Sequence, residues 1–119
     1  MIQIFGTKKC AETRKAERFF RERRIAFQFV DLARKGLSPG ELASVAARVG
    51  GLAALADTAC KRWIERGLKY SAPTGPRLEA ILLEDPLCLV TPIVRSGKDA
   101  TVGYQPEVWA RWIQAQNVA

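Results

Sequence analysis

Residues 2–32 constrain the fold more than any other stretch, because they set a strand, a helix and a second strand in so short a span. Ile2 and Ile4 alternate with Gln3 and Phe5, the period of a short buried strand. Gly6 breaks that strand, and Thr7, Lys8 and Lys9 form a polar loop. From Ala11 to Arg24, the apolar Ala16, Phe19 and Phe20 share one face while Arg and Glu fill the others, which predicts an amphipathic helix. Ile25 to Leu32 (IAFQFVDL) then reads as strand again. Strand, helix and strand within about 30 residues make a βαβ unit, so its two strands are expected to be parallel.

Cys10 stands where the loop of that unit becomes helix. Unpaired N–H groups and the helix dipole favour an anion there. Lys8, Lys9 and Arg14 add positive charge close by in sequence, and both effects lower a cysteine pKa from about 8.5. Cys10 is therefore the expected nucleophile and the three cations its expected activators. The alternative is a small buried core residue, the usual role of a lone cysteine. The chain has no histidine, which excludes Ser/His/Asp and Cys/His catalysis from its own residues, and every zinc site that needs imidazole. Cys10, Cys60 and Cys88 have no C-x-x-C spacing, so no metal site is expected. With no Gly-rich phosphate loop either, no bound cofactor is expected.

An odd cysteine count at wide spacing fits a reducing compartment. The opening MIQIFG lacks a basic region followed by a long apolar one, and no apolar run reaches the length of a membrane span. A cytoplasmic location follows as an expectation. At 119 residues and 48% hydrophobic content the chain is expected to be one domain with a real core. The net charge of +7 is uneven: residues 1–35 hold ten Lys/Arg against four Asp/Glu. A field of that sign around Cys10 suits an anionic substrate, glutathione or an acidic protein surface. It also fits a solvated helix face laced with pairs such as Glu17–Arg21 and Arg18–Glu22. Nucleic-acid binding is not expected, because high pI without a recognition motif is poor support for it.

Beyond the first unit, Ser38-Pro39-Gly40-Glu41 reads as a helix start with a capping box. Leu42, Val45 and Ala46 would face inward, and Gly50-Gly51 would stop the helix. Asp57 is the expected cap of a helix to Arg66, closed by Gly67, and a further helix is expected over Pro76–Glu84. Residues 37–84 thus form a helical block without a strand. Leu87 to Arg95 (LCLVTPIVR) reads as strand, Ser96 to Asp99 as a turn and Ala100 to Gly103 as a returning strand, an antiparallel hairpin. A last helix opens at Gln105-Pro106-Glu107 and carries Val108, Trp109, Trp112 and Ile113 as a buried stripe. Cys60 and Cys88 fall on helical or apolar runs, where core packing is the expected role.

The order β-α-β, helical block, β-β-α, with Cys10 after the first strand and Thr91-Pro92 entering the third, resembles a thioredoxin fold. More narrowly, the chain resembles the arsenate reductase-related (ArsC/Spx/YffB-like) family over roughly residues 2–115. The carrying residues are Phe5-Gly6-x-x-x-Cys10, Thr13-Arg14-Lys15-Ala16, Asp31, Leu37-Ser38 and Glu41-Leu42. The tail DPLCLVTPIVRSGKDATVGY matches the family's N-P-x-L-x-x-R-P-I-V, glycine turn and V-G-[YF]. The fold class implied is α/β: a single thioredoxin-like domain over 1–119 with a helical insertion at about 37–84 and a mixed four-stranded sheet.

The resemblance further implies a cis Pro92 facing Cys10. Thr13, Thr91 and Pro92 would be the substrate-binding residues, with the Thr91 backbone offered to a thiol peptide such as glutathione. The implied activity is a monothiol oxidoreductase, with glutathione as co-substrate and glutathione or a glutaredoxin-type protein as partner. Arsenate reductases of the family carry an arginine at the place of Thr91, another near Tyr104 and a third about where Ala59 stands, with Lys61 and Arg62 nearby. Without those charge-assisted contacts, weak or no arsenate reduction is expected. Thr13 takes the second position of the C-x-x-C found in Spx-type members, so a local disulfide cannot form there. The alternative is a non-enzymatic, Spx-like regulator that binds an acidic partner, such as a transcription-apparatus subunit, through its basic first helix.

Overall fold

The computed structural model describes residues 2–118, with side chains through residue 115. Met1 and Ala119, the ends of the expected domain, lie outside the described residues. Strand β1 (Ile2–Gly6) leads through the Cys10 loop to helix α1 (Ala11–Glu22) and strand β2 (Phe27–Asp31). β1 and β2 pair in parallel, Ile2 opposite Phe27 and Gly6 opposite Asp31, as the βαβ reading requires. Strands β3 (Ile93–Ser96) and β4 (Asp99–Val102) form the antiparallel hairpin, and β3 lies antiparallel to β1. The sheet order is β2-β1-β3-β4. β1 is therefore interior and needs apolar side chains on both faces, which Ile2 and Ile4 supply on one and Phe5 on the other.

Ile2, Ile4 and Val94 turn to one face, where Ala16, Phe19 and Phe20 of α1 and Trp109 complete a core. Trp109 comes from the last helix, which runs Pro106–Val118; its ring is fully buried and its Nε1–H donates to the Thr101 hydroxyl at 2.8 Å. Val108, Trp112 and Ile113 of the expected stripe are half-buried. Phe5 and Ile93 turn to the opposite face, against a second core supplied by residues 32–89. This two-sided cover of a mixed four-stranded sheet is a thioredoxin-like fold.

The block over residues 37–84 contains four helices: α2 (Pro39–Val49), α3 (Lys61–Glu65), α4 (Leu68–Ser71) and α5 (Gly75–Glu84). The last helix of the chain is accordingly α6. The capping box of α2 forms as read: Ser38 Oγ accepts from Glu41 N–H at 3.1 Å and Glu41 Oε1 accepts from Ser38 N–H at 2.9 Å. Gly50 ends α2 at φ 96°, a left-handed cap that other residues adopt only with strain.

Three local expectations change. The helix expected from Asp57 starts only at Lys61, with Cys60 as its cap, and α4 follows Gly67 as a separate turn. Asp57 instead closes a turn, its Oδ1 accepting from Ala59 N–H at 3.1 Å and its own N–H donating to the Cys88 carbonyl at 2.7 Å. The strand expected from Leu87 begins only at Ile93. Pro86–Cys88 is a 3-10 turn, and the segment after it pairs with residues 55–57 rather than with the sheet, through an Ala56–Leu89 bridge and Val90 N–H on the Leu55 carbonyl. Pro92 has no N–H, so regular pairing cannot extend through it. Of the two expected α1 ion pairs, Glu17–Arg21 forms at 3.5 Å, whereas Arg18–Glu22 is not among the ion pairs of the described residues.

Candidate functional site

Cys10 is the N-cap residue of α1, extended at φ −81° and ψ 119°, with its carbonyl accepting from Arg14 N–H at 3.1 Å. Its side chain does not cap the helix; it points across the sheet end to residue 91. The Thr91 hydroxyl donates to Sγ at 3.1 Å, and the Thr91 carbonyl lies 3.9 Å from the same sulfur, a long contact for a thiol donor. The Thr91–Pro92 peptide is cis, and Pro92 is fully buried. Residues separated by 81 positions in sequence thus meet at one half-exposed sulfur.

The Cys10 thiol titrates below the ordinary cysteine range. Burial acts against its anion, and the donors around it more than offset that: first the Thr13 hydroxyl, then the Thr91 hydroxyl, then the backbone N–H groups of Thr13 and Glu12. Thr13 Oγ1 is fully buried and has no hydrogen-bond partner. Its hydroxyl therefore acts on the neutral thiol as a nearby dipole, and its proton is uncommitted until the sulfur ionises. Gly6 makes this possible. A Cβ there would come within 2.6 Å of Thr13 Cγ2 and closer still to Oγ1, so Thr13 can reach its place only over a glycine.

The cations expected to activate the thiol are arranged differently. Lys8 and Lys9 are exposed; Lys8 Nζ stands over the Phe29 ring, 5.0 Å from its centroid. The Arg14 guanidinium turns back to the Lys8 carbonyl at 3.0 Å. Among the described residues the side-chain hydrogen bond donated to Sγ comes from Thr91. Hydroxyl and backbone N–H groups of Thr13, Thr91 and Glu12 lower the pKa against burial. Sequence order could not show this, since both threonines become donors only through tertiary placement; the Gly6/Thr13 pair was the one local signal.

Arginines that an oxyanion clamp would call on are committed elsewhere. Arg62 and Arg66 both grip Asp85, whose carboxyl the Arg62 hydrogen bond, against partial burial, holds below the usual carboxylate range. Arg95 faces Glu41 at 3.6 Å. Tyr104 packs edge-on against Trp109, with Lys15 Nζ 5.8 Å from its ring centroid. A cleft of about 600 Å³ beside the Cys10 loop is lined by Lys8, Phe29, Asp31, Arg34 and Lys35. A more apolar cavity of about 660 Å³ lies in the insertion, among Trp63, Ile64, Leu68, Tyr70 and Leu78, and includes none of the expected site residues. No group of three or more His, Cys, Asp or Glu among the described residues is placed to hold a metal ion. No helix among them is long and apolar enough to cross a membrane.

Solved structures share this architecture. The YFFB (PA3664) protein superposes with a TM-score of 0.82 at 20% identity, covering 93% of this chain and 97% of that one. An arsenate reductase from Vibrio cholerae gives 0.78 at 24% identity, covering 90% and 92%. An arsenate reductase (ArsC) related protein from Brucella melitensis gives 0.67 at 19% identity, covering 94% and 93%. At such identities the likeness establishes the fold. None of the curated proteins matches this chain. The ArsC family model matches residues 5–112, which include Cys10, Thr13, Thr91 and Pro92, and the chain belongs to the ArsC family.

Proposed function

We propose that this protein is a monothiol oxidoreductase in which Cys10 attacks a disulfide and carries a mixed disulfide with glutathione. The observation that carries this reading is the pairing of a half-exposed, low-pKa sulfur with Thr91, whose hydroxyl lies 3.1 Å from it. The Cys10 thiolate attacks one sulfur of a disulfide, a new S–S bond forms, and the other sulfur leaves as a thiolate. A second thiol, from glutathione or a glutaredoxin-type protein, then attacks the mixed disulfide and returns Cys10. Thr91 stands beside the sulfur, ahead of the cis bond to the buried Pro92, and the Lys8, Arg34 and Lys35 cleft offers cations to the carboxylates of glutathione. Thr13 belongs to this site as a donor to the sulfur. No bound cofactor is required.

Arsenate is a poor substrate in this reading, because Thr91 and Tyr104 replace two cations and Arg62 is held by Asp85. Each lost charged hydrogen bond costs about 1.5–3 kcal/mol, or roughly one to two orders of magnitude in rate. The test is native incubation with oxidised glutathione followed by peptide mass mapping. One glutathionyl group on Cys10, released by excess glutathione, is the expected result. No adduct on Cys10 under conditions that modify the unfolded chain would overturn the reading. Efficient glutathione-coupled arsenate turnover would overturn its substrate clause.

The exposure of Arg14, Lys15, Arg18 and Arg21 on α1 favours a second reading, an Spx-like regulator that docks on an acidic protein surface. It predicts that Cys10→Ser leaves binding to a purified acidic partner domain intact while charge reversal on α1 abolishes it.

A further inference from the structure

We propose that Cys60 and Cys88 are a second redox centre, a dithiol that a hydroperoxide closes to a disulfide, with Cys60 meeting the oxidant and Cys88 resolving it. This does not depend on the function proposed for Cys10.

Two sets of backbone hydrogen bonds bring the pair together. The turn that carries Cys60 is closed by its N–H on the Asp57 carbonyl at 3.2 Å, and Asp57 N–H in turn binds the Cys88 carbonyl at 2.7 Å. On the other side of that contact, Ala56 bridges Leu89 and Val90 N–H binds the Leu55 carbonyl at 2.8 Å. Cys60 packs against the core cluster that contains Cys88. The sulfurs feel one another: the Cys88 thiol is pushed up to about 12, first by burial and then by the Cys60 sulfur against it. Cys60 Sγ also accepts from Trp63 N–H at 3.4 Å, which fixes its direction.

Access divides the roles. Cys88 is 0% exposed, whereas Cys60 is half-exposed, so a small oxidant arriving from solvent meets Cys60. The Cys60 sulfur attacks the peroxide oxygen; an S–O bond forms, the O–O bond breaks, and the leaving hydroxide takes a proton to become water. Cys60 is then a sulfenic acid. The Cys88 sulfur attacks it; an S–S bond forms, the S–O bond breaks, and the hydroxyl leaves with the Cys88 proton as a second water. Two thiols and one hydrogen peroxide thus give one disulfide and two waters. The bond would tie the start of α3 to the segment that presents Thr91 to Cys10.

The experiment uses full-length Cys10→Ser protein, so that only this pair can respond. Native protein is treated with hydrogen peroxide, blocked with N-ethylmaleimide and digested with trypsin without reductant. Expected are peptides 49–61 and 78–95 joined at two hydrogens below their summed mass, both thiols lost together, and full reversal by dithiothreitol. In a further Cys60→Ser variant, Cys88 should stay titratable through the same exposure. Cys60 advancing alone to sulfinic acid would overturn the proposal. So would Cys88 losing its titre equally fast without Cys60.

Discussion

The surroundings of Cys10 and Cys88 begin from the same physical disadvantage and end on opposite sides of the ordinary thiol. For each, burial is the largest influence and raises the pKa. Around Cys10 the neighbours are donors, two threonine hydroxyls and the N–H groups of the first turn of α1, and the balance falls below the ordinary value. Around Cys88 the nearest sulfur is another thiol and the nearest carboxylate is Asp85, and the balance rises to about 12. The difference teaches that donors aimed at a sulfur can outweigh the burial that opposes its ionisation.

Competitive alkylation tests the comparison directly. A thiol pushed up to about 12, as Cys88 is, holds roughly 1000-fold less thiolate at pH 7 than an ordinary one about three pKa units lower, and Cys10 lies below the ordinary value. The weaker intrinsic nucleophilicity of the low-pKa thiolate returns about 15- to 30-fold of that, at a Brønsted slope of about 0.4–0.5. Cys10 should therefore label at least about 30-fold faster than Cys88, before access is counted. Equal labelling of the two in native protein, read by peptide mapping, would break the comparison.

Gly6→Ala attacks the Cys10 side through packing. The new methyl would collide with Thr13 Oγ1 and Cγ2, and Thr13 is a fully buried, β-branched helix residue with little room to turn. A loss of about 1–3 kcal/mol is expected from overpacking, measured by urea unfolding. Slower Cys10 labelling should accompany it as Thr13 is displaced. A stability change confined to a few tenths of a kcal/mol would mean that Thr13 is not held against Gly6.

Thr91→Val removes one donor and keeps the shape. Loss of a hydrogen bond to a charged group, about 1.5 kcal/mol at the low end, should cut the thiolate population about tenfold below the midpoint and slow Cys10 alkylation there by about three- to fourfold, once the better nucleophilicity of the higher-pKa thiolate is counted. The sign can be read from pH. Cys10 is thiolate above a depressed pKa, so its rate should rise through a midpoint below that of free cysteine. In the variant the midpoint moves up, and above both midpoints the variant should be the faster by about threefold, because a thiolate of higher pKa is the better nucleophile. An unmoved midpoint would take Thr91 out of the site's electrostatics.

Much of this was legible in the sequence, and the reason lies in what each feature depends on. The βαβ unit, the α2 capping box and the Gly50 stop are local, and period and cap chemistry located them. The place of Cys10 at the start of α1 is local too. The short irregular segments were misread because their backbone groups are satisfied by one another. Residues 55–57 and 88–90 pair across the fold, whereas in sequence apolar Leu87 to Val90 reads as sheet strand and Asp57 as a helix cap. Where Lys8 and Arg14 point was hidden for a related reason. Charge close in sequence is not charge aimed at the sulfur, and Phe29 and the Lys8 carbonyl take those side chains.

Thr13→Val separates activation of Cys10 from stability of the fold. Thr13 Oγ1 is buried without a partner, and leaving a hydroxyl unsatisfied costs about 1–3 kcal/mol, so an isosteric methyl should stabilise the neutral-thiol protein by about 1 kcal/mol. The same change removes the foremost donor that lowers the Cys10 pKa, so labelling near neutral pH should slow. The pH dependence ties the two effects together. A thiol whose folded pKa is depressed adds stability that is fully present above the unfolded pKa, about 8.5, and is lost as pH falls through the folded pKa. Valine raises the folded pKa and so forfeits part of that contribution only at high pH. Its advantage in urea unfolding should be largest below the folded pKa, where Cys10 is neutral in both proteins, and should shrink as pH rises through the window between the folded pKa and about 8.5. A gain that stays constant across that window would mean that the Thr13 hydroxyl is an unsatisfied group with no part in ionising Cys10.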